Sequence, residues 1–204
     1  MTTNKEAFSR FQTFMRDFSA ANQLRSRAAK NGSFIEYVCL CTSFLDGLLR
    51  IGLILKHQLD TSSSDILEEL LYQPNDQDSM TERTIYQRAL QEGIIDQSLF
   101  VELNTLHDKR NIIVHQYIIS GILTDQILEV GVQYRKALDS VKRRIRDIED
   151  QQIRRGIGIT HVSRATPDVD CFKAEQQIDQ VADDKHGYPT LAKNLGRPSR
   201  PAAS

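Results

Sequence analysis

Cysteine is scarce in this chain of 204 residues: Cys39, Cys41 and Cys171 are an odd number, with no CxxC pair among them. That excludes a disulfide scaffold and a zinc ribbon, and it points to a reducing, intracellular setting. Cys39 and Cys41 fall on opposite sides of one helix and read as small core residues. Charge of one sign is missing too, since 26 Lys plus Arg face 27 Asp plus Glu for a net charge of −1. A protein that coats nucleic acid or anionic membrane by bulk charge is thereby excluded, and only a local basic surface remains available. Long apolar runs are absent as well. The N-terminus MTTNKEAFSRF is charged where a secretory signal is apolar, and the most apolar stretch, residues 34–59, is interrupted by Glu36, Asp46, Arg50 and Lys56. No membrane partner is expected, and the expected location is the cytoplasm. No glycine-rich phosphate loop, GxSxG elbow or HExxH pair occurs, which removes the common nucleotide-hydrolase, esterase and zinc-protease readings.

What is present is helical period. Phe8, Phe11, Met15, Phe18 and Leu24 recur at helical spacing within residues 5–28, and Asn31-Gly32 closes that first helix. Ser33 is placed to cap a second helix, in which Phe34, Val38, Cys41, Leu45, Leu48, Gly52, Leu55 and Leu59 form the most buried stripe. A short apolar turn follows at residues 66–71, then a polar loop at 73–79. Thr81 starts a short helix that runs through Leu90 and closes at Gly93. From Asp96 the spacing of Leu99, Leu103, Leu106, Arg110, Val114, Tyr117 and Ile118 continues to Ser120-Gly121, and Thr124 or Asp125 opens a long last helix. No segment alternates apolar and polar residues in the manner of a strand.

Beyond Arg155 the composition changes. Gly156 and Gly158 break the helix, and four of the five prolines (Pro167, Pro189, Pro198, Pro201) lie in the last stretch. The expected organisation is an all-α bundle of about five helices over residues 1–155, with two long antiparallel helices, and a tail over residues 156–204 that is partly disordered or carries one short helix near 173–181.

The most informative string is Asp108-Lys109-Arg110-Asn111-Ile112-Ile113-Val114-His115-Gln116-Tyr117. It puts a fixed cation, a group that titrates near neutrality and a phenol on one helix. Asp108, Asn111 and His115 lie at i, i+3 and i+7, within a sector of about 60°, so Asn111 can bond His115 and fix its tautomer. Arg110 and His115 are about 140° apart around the axis. Either the long arginine wraps around, the helix is irregular, or the two groups meet across a dimer cleft. Tyr117 falls on the Arg110 side.

The Arg-Asn-x-x-x-His core followed by x-Tyr resembles the signature of HEPN domains, small all-α proteins of prokaryotic toxin–antitoxin, phage-defence and CRISPR systems. The form with Tyr two residues past His is similar to HEPN toxins encoded beside a minimal nucleotidyltransferase antitoxin. The resemblance covers roughly residues 5–150, with its specific part in residues 110–117. It implies a metal-independent endoribonuclease, without cofactor, acting as a homodimer with a composite active site. In that setting His115 is general acid or base, Arg110 binds the scissile phosphate and stabilises transition-state charge, Asn111 orients His115, and Tyr117 contacts the phosphate or the neighbouring base. Tyr117 is also implied as a target of modification by the antitoxin. A catalytically silent HEPN module that binds a nucleotide, RNA or a partner protein is the alternative.

Two further features bear on RNA. Residues 135–155 hold eight basic residues against four acidic ones, so Lys142, Arg143 and Arg146, with Lys109 from the motif, are candidate RNA contacts. The competing explanation is a solvated face laced by Arg143–Asp147 and Arg146–Asp150 pairs. On the second helix Ser43, Asp46, Arg50 and His57 share one face, where Arg50 is either a second phosphate contact or half of an Asp46–Arg50 ion pair. His107, Asp108 and His115 suggest a metal set, but His107 and His115 are about 80° apart around the helix and no fourth ligand is apparent, so no metal is expected.

Overall fold

The computed structural model describes residues 4–71 and 80–159. It contains five α-helices: α1 (Asn4–Lys30), α2 (Phe34–Thr61), α3 (Glu82–Gln91), α4 (Gln97–His115) and α5 (Thr124–Arg155), with one 3-10 turn at Glu68–Leu70 and no strand among the described residues. The chain is an all-α bundle. Most of the expected tail, including the short helix near 173–181, lies outside the described residues.

The helix ends follow local chemistry. Gly32, Gly93 and Gly156 take positive φ at the ends of α1, α3 and α5, where a side chain would be strained. The Thr81 hydroxyl accepts a hydrogen bond from the Thr84 amide at the start of α3, and the Asp96 carboxylate accepts one from the Leu99 amide at 2.9 Å at the start of α4. Ser33 occupies the N-cap of α2, but its side chain makes no capping bond. At α5 the cap works in reverse, with the Gln126 side chain accepting from the Leu123 amide at 2.9 Å.

α2 is the centre of the bundle and touches α1, α3, α4 and α5. Leu45, Leu49 and Ile54 of α2 are fully buried, together with Ile85 and Tyr86 of α3, Leu103, Leu106 and Ile113 of α4, and Ile127 and Tyr134 of α5. Each such leucine or isoleucine contributes about 1.5–3 kcal/mol on leaving water. By length and apolar character α2 could cross a membrane, yet most of it is buried within the bundle, where it serves as the core helix.

Three helices are long, α1, α2 and α5, and α1 and α2 pack antiparallel. Phe18 stacks on Phe44 at 4.3 Å between ring centroids, and a Cβ on Gly47 would lie 2.8 Å from the Phe18 ring, so the close approach of α1 depends on that missing side chain. α5 instead runs parallel to α2: Gly131 meets Tyr37, Ile145 meets Gly52, and Gln152 donates to the Leu55 carbonyl at 2.8 Å. The α3–α4 segment makes the return that a parallel pair needs, and α4 lies antiparallel to α5, tied by Lys109–Gln133 and Arg144–Asp96.

Candidate active site

α4 is a continuous helix that ends at His115; Gln116 leaves helical geometry at φ −124°, and the Ile119 and Ser120 amides close onto its carbonyl. The helix therefore stops before Tyr117, whose expected position on the Arg110 side rested on a helix continuing to Ser120. His115 stands exposed at the last helical position, and Tyr117 is 46% exposed in the turn beyond it. Asn111 is half-buried, and no hydrogen bond joins it to His115 among the described residues.

Arg110 turns inward, with its side chain 17% exposed. Its Nη2 is ion-paired with Glu82 Oε2 at the start of α3, and Nε is buried without a hydrogen-bond partner. The same Glu82 oxygen lies 2.7 Å from His107 Nδ1, near enough for an ion pair though not aligned as a hydrogen bond. The His107 ring stands edge-on to Tyr86, with centroids 6.5 Å apart. Next to this cluster Arg83 pairs with Asp108, so the first turn of α3 is latched to the second half of α4 at two points. The Arg110 charge is felt by Cys39 of α2 and Tyr134 of α5; burial pushes the Cys39 thiol up and the Tyr134 phenol up to about 12, and Arg110 opposes both shifts.

Within one chain, then, Arg110 does not wrap around to His115. It faces Glu82 and the interior, and His115 faces solvent. Glu82 has no signal in the local sequence pattern, because its partner is 28 residues away. Around His115 and Tyr117 the surface is unusually apolar: Ile118 is 94% exposed, Ile119 83%, and Leu123 is exposed as well. Beside it Lys109, Ile112, Gln126 and Val130 line a cavity of about 350 Å³, in which Lys109 donates to Gln133 Oε1 at 2.9 Å.

The remaining basic candidates are dispersed. Arg50 is buried, and its guanidinium bonds Asp46 Oδ2 at 2.6 Å, the Leu70 carbonyl at 3.0 Å and the Met80 carbonyl at 3.3 Å. Its charge is used inside the fold, where it ties α2 to the segments that follow it. The polar face of Ser43, Asp46 and Arg50 opens on a cleft of about 300 Å³ shared with Phe14, Asp17 and Phe18 of α1, with no residue of α4 in its lining. Arg143 is exposed and bonds the Asp139 carbonyl and Ser140 on its own helix, in place of an Arg143–Asp147 pair. Lys142 is half-buried against Phe44, and Arg146 is exposed. Cys41 is buried as expected, whereas Cys39 is half-buried. Among the described residues no group of three or more His, Cys, Asp or Glu side chains is arranged to hold a metal ion.

No family model, curated protein or solved structure matches the chain.

Proposed function

We propose that the chain is a HEPN-type endoribonuclease of a prokaryotic toxin–antitoxin or phage-defence system, acting in the cytoplasm as a homodimer. The observation that supports this reading best is the placement of the Arg110-Asn111-x-x-x-His115-x-Tyr117 string: it ends one helix of an all-α bundle with His115 and Tyr117 exposed together. RNA brings its own nucleophile, so the chemistry needs proton transfer and charge stabilisation before it needs a metal. His115 takes the proton of the 2′-hydroxyl, the freed oxygen attacks the adjacent phosphorus, the bond from phosphorus to the 5′-oxygen breaks, and that oxygen collects a proton. A 2′,3′-cyclic phosphate and a 5′-hydroxyl result. Such proton transfer is worth about 10²–10⁴-fold.

Arg110 binds the phosphate in this scheme. A carboxylate and a phosphate offer similar acceptor oxygens to a guanidinium, so Glu82 occupies the position a phosphate takes when the pair opens. The apolar surface of Ile118, Ile119 and Leu123 suits a second copy of the chain, which supplies the Arg110 that His115 lacks in its own subunit. Tyr117, accessible beyond the helix end, suits modification by a nucleotidyltransferase-type antitoxin.

Purified protein is expected to cut single-stranded RNA in EDTA, and His115→Ala to abolish cutting with an unchanged melting temperature. Retained cleavage in that variant contradicts the assignment. The engagement of Arg110 by Glu82 favours one second reading, a silent HEPN module that binds RNA or a nucleotide; it is distinguished by binding without cleavage that His115→Ala leaves untouched.

A further inference from the structure

On the face of α2 away from Arg110, cations gather without a carboxylate ion-paired to them among the described residues. Cys39, which feels Arg110, and Cys41, which feels Arg25 and Lys142, are about 160° apart around α2 by helical geometry, so the two regions lie on opposite sides. Phe44 is the floor of the second region. Phe18 stacks nearly parallel on its ring, at 14°, and Arg25 of α1 and Lys142 of α5 also lie over that ring. Arg25 Cζ is 4.9 Å and Lys142 Nζ 5.5 Å from the Phe44 centroid. Arg146, exposed, follows Lys142 at i+4 on the same side of α5.

An aromatic face attracts cations but does not neutralise them as a carboxylate does. Arg25 Nη2 is held by Asn22 Oδ1 at 2.8 Å, the guanidinium also interacts with the Tyr37 hydroxyl and the Cys41 thiol, and its Nε is buried with no hydrogen-bond partner among the described residues. Burial and then the Arg25 charge hold the Lys142 ammonium below its usual range, and Arg146 adds to the same effect; Asp139 pulls the other way. Like charges kept this close repel, and an anion that bridges them relieves that repulsion.

We propose that Arg25, Lys142 and Arg146 form a second, non-catalytic site for a phosphate group, separate from the motif on α4. Arg25 offers a guanidinium and Lys142 a point charge over the same ring. The phosphate belongs either to an RNA strand or to a free polyphosphate, and the site stands whether or not the motif is catalytic.

The test uses full-length protein carrying His115→Ala, so that the probe survives. Fluorescence anisotropy follows a labelled single-stranded oligoribonucleotide across a salt series, and calorimetry follows inorganic pyrophosphate. Arg25→Gln and Lys142→Gln are each expected to weaken binding several-fold and to lower the salt slope by about 1, at an unchanged melting temperature. Weakening of the RNA arm alone assigns the site to a strand, and weakening of the pyrophosphate arm as well assigns it to a free polyphosphate. Should Arg25→Gln lower the melting temperature, Lys142→Gln on another helix decides. A parent that binds neither probe, or affinities that neither substitution changes, overturns the proposal. Cleavage by the unsubstituted protein is scored separately and reports only on the motif.

Discussion

Two arginines show how the surroundings of a guanidinium decide what it does. Arg50 and Arg110 both come from helices facing the core and both meet a carboxylate, but Arg50 also satisfies two backbone carbonyls, from Leu70 and Met80, and is buried. Removing it leaves Asp46 half-buried without its cation, its carboxyl already pushed up by burial against the pull of Arg50. Arg50→Met is therefore expected to lower unfolding free energy by about 3–5 kcal/mol in a urea titration. Arg110 has one carboxylate and a spare N–H. Glu82→Gln is expected to cost less stability, about 1–3 kcal/mol, and to raise affinity for RNA in the His115→Ala background, since it frees Arg110 for phosphate. Weaker RNA binding in that variant contradicts the competition between Glu82 and phosphate. The sequence shows the Asp46–Arg50 pair plainly, because i and i+4 meet on a helix. It does not show the Leu70 and Met80 carbonyls or Glu82, because partners 20 to 30 residues away are brought together only by the packing of α2, α3 and α4.

At the scale of elements, the helix ends were legible wherever a glycine or a short polar side chain sets them, as at Gly32, Gly93, Gly156, Thr81 and Asp96. The end of α4 was not. Val114, Tyr117 and Ile118 keep helical spacing, so the pattern runs past His115, while the chain folds back through the Gln116 carbonyl. That difference moves Tyr117 off the helix and onto the surface beside His115. Gly47 carries the α1–α2 contact: Gly47→Ala forces the Phe18 ring aside and is expected to cost about 1–3 kcal/mol. The Leu99 amide and then Arg144 hold the Asp96 carboxyl below the usual aspartate range. A depressed folded-state pKa contributes stability that is present above about pH 4 and lost as pH falls through the folded value. Asp96→Asn keeps a capping oxygen and is expected to flatten that acid limb in a series of thermal melts.

At the scale of the whole molecule, a net charge of −1 means that any attraction for RNA has to come from local groups of cations. Positive charge sits in separate places, with Arg110 turned toward α3 and Arg25 and Lys142 over Phe44 on the far side of α2. The exposed isoleucines beyond His115 are the feature a lone chain explains least well, and Ile118→Asp with Ile119→Asp is expected to turn a dimer into a monomer by light scattering while leaving the helical signal intact. On the proposed reading, the separation of Arg110 from His115 in one chain makes a second copy central to the mechanism. Mixing Arg110→Ala protein with His115→Ala protein tests this directly. If each site takes arginine from one subunit and histidine from the other, two inactive preparations unfolded and refolded together regain RNA cleavage, up to about a quarter of the unsubstituted rate from random pairing of two-fold dimers; a mixture as inactive as its components contradicts a site shared between subunits.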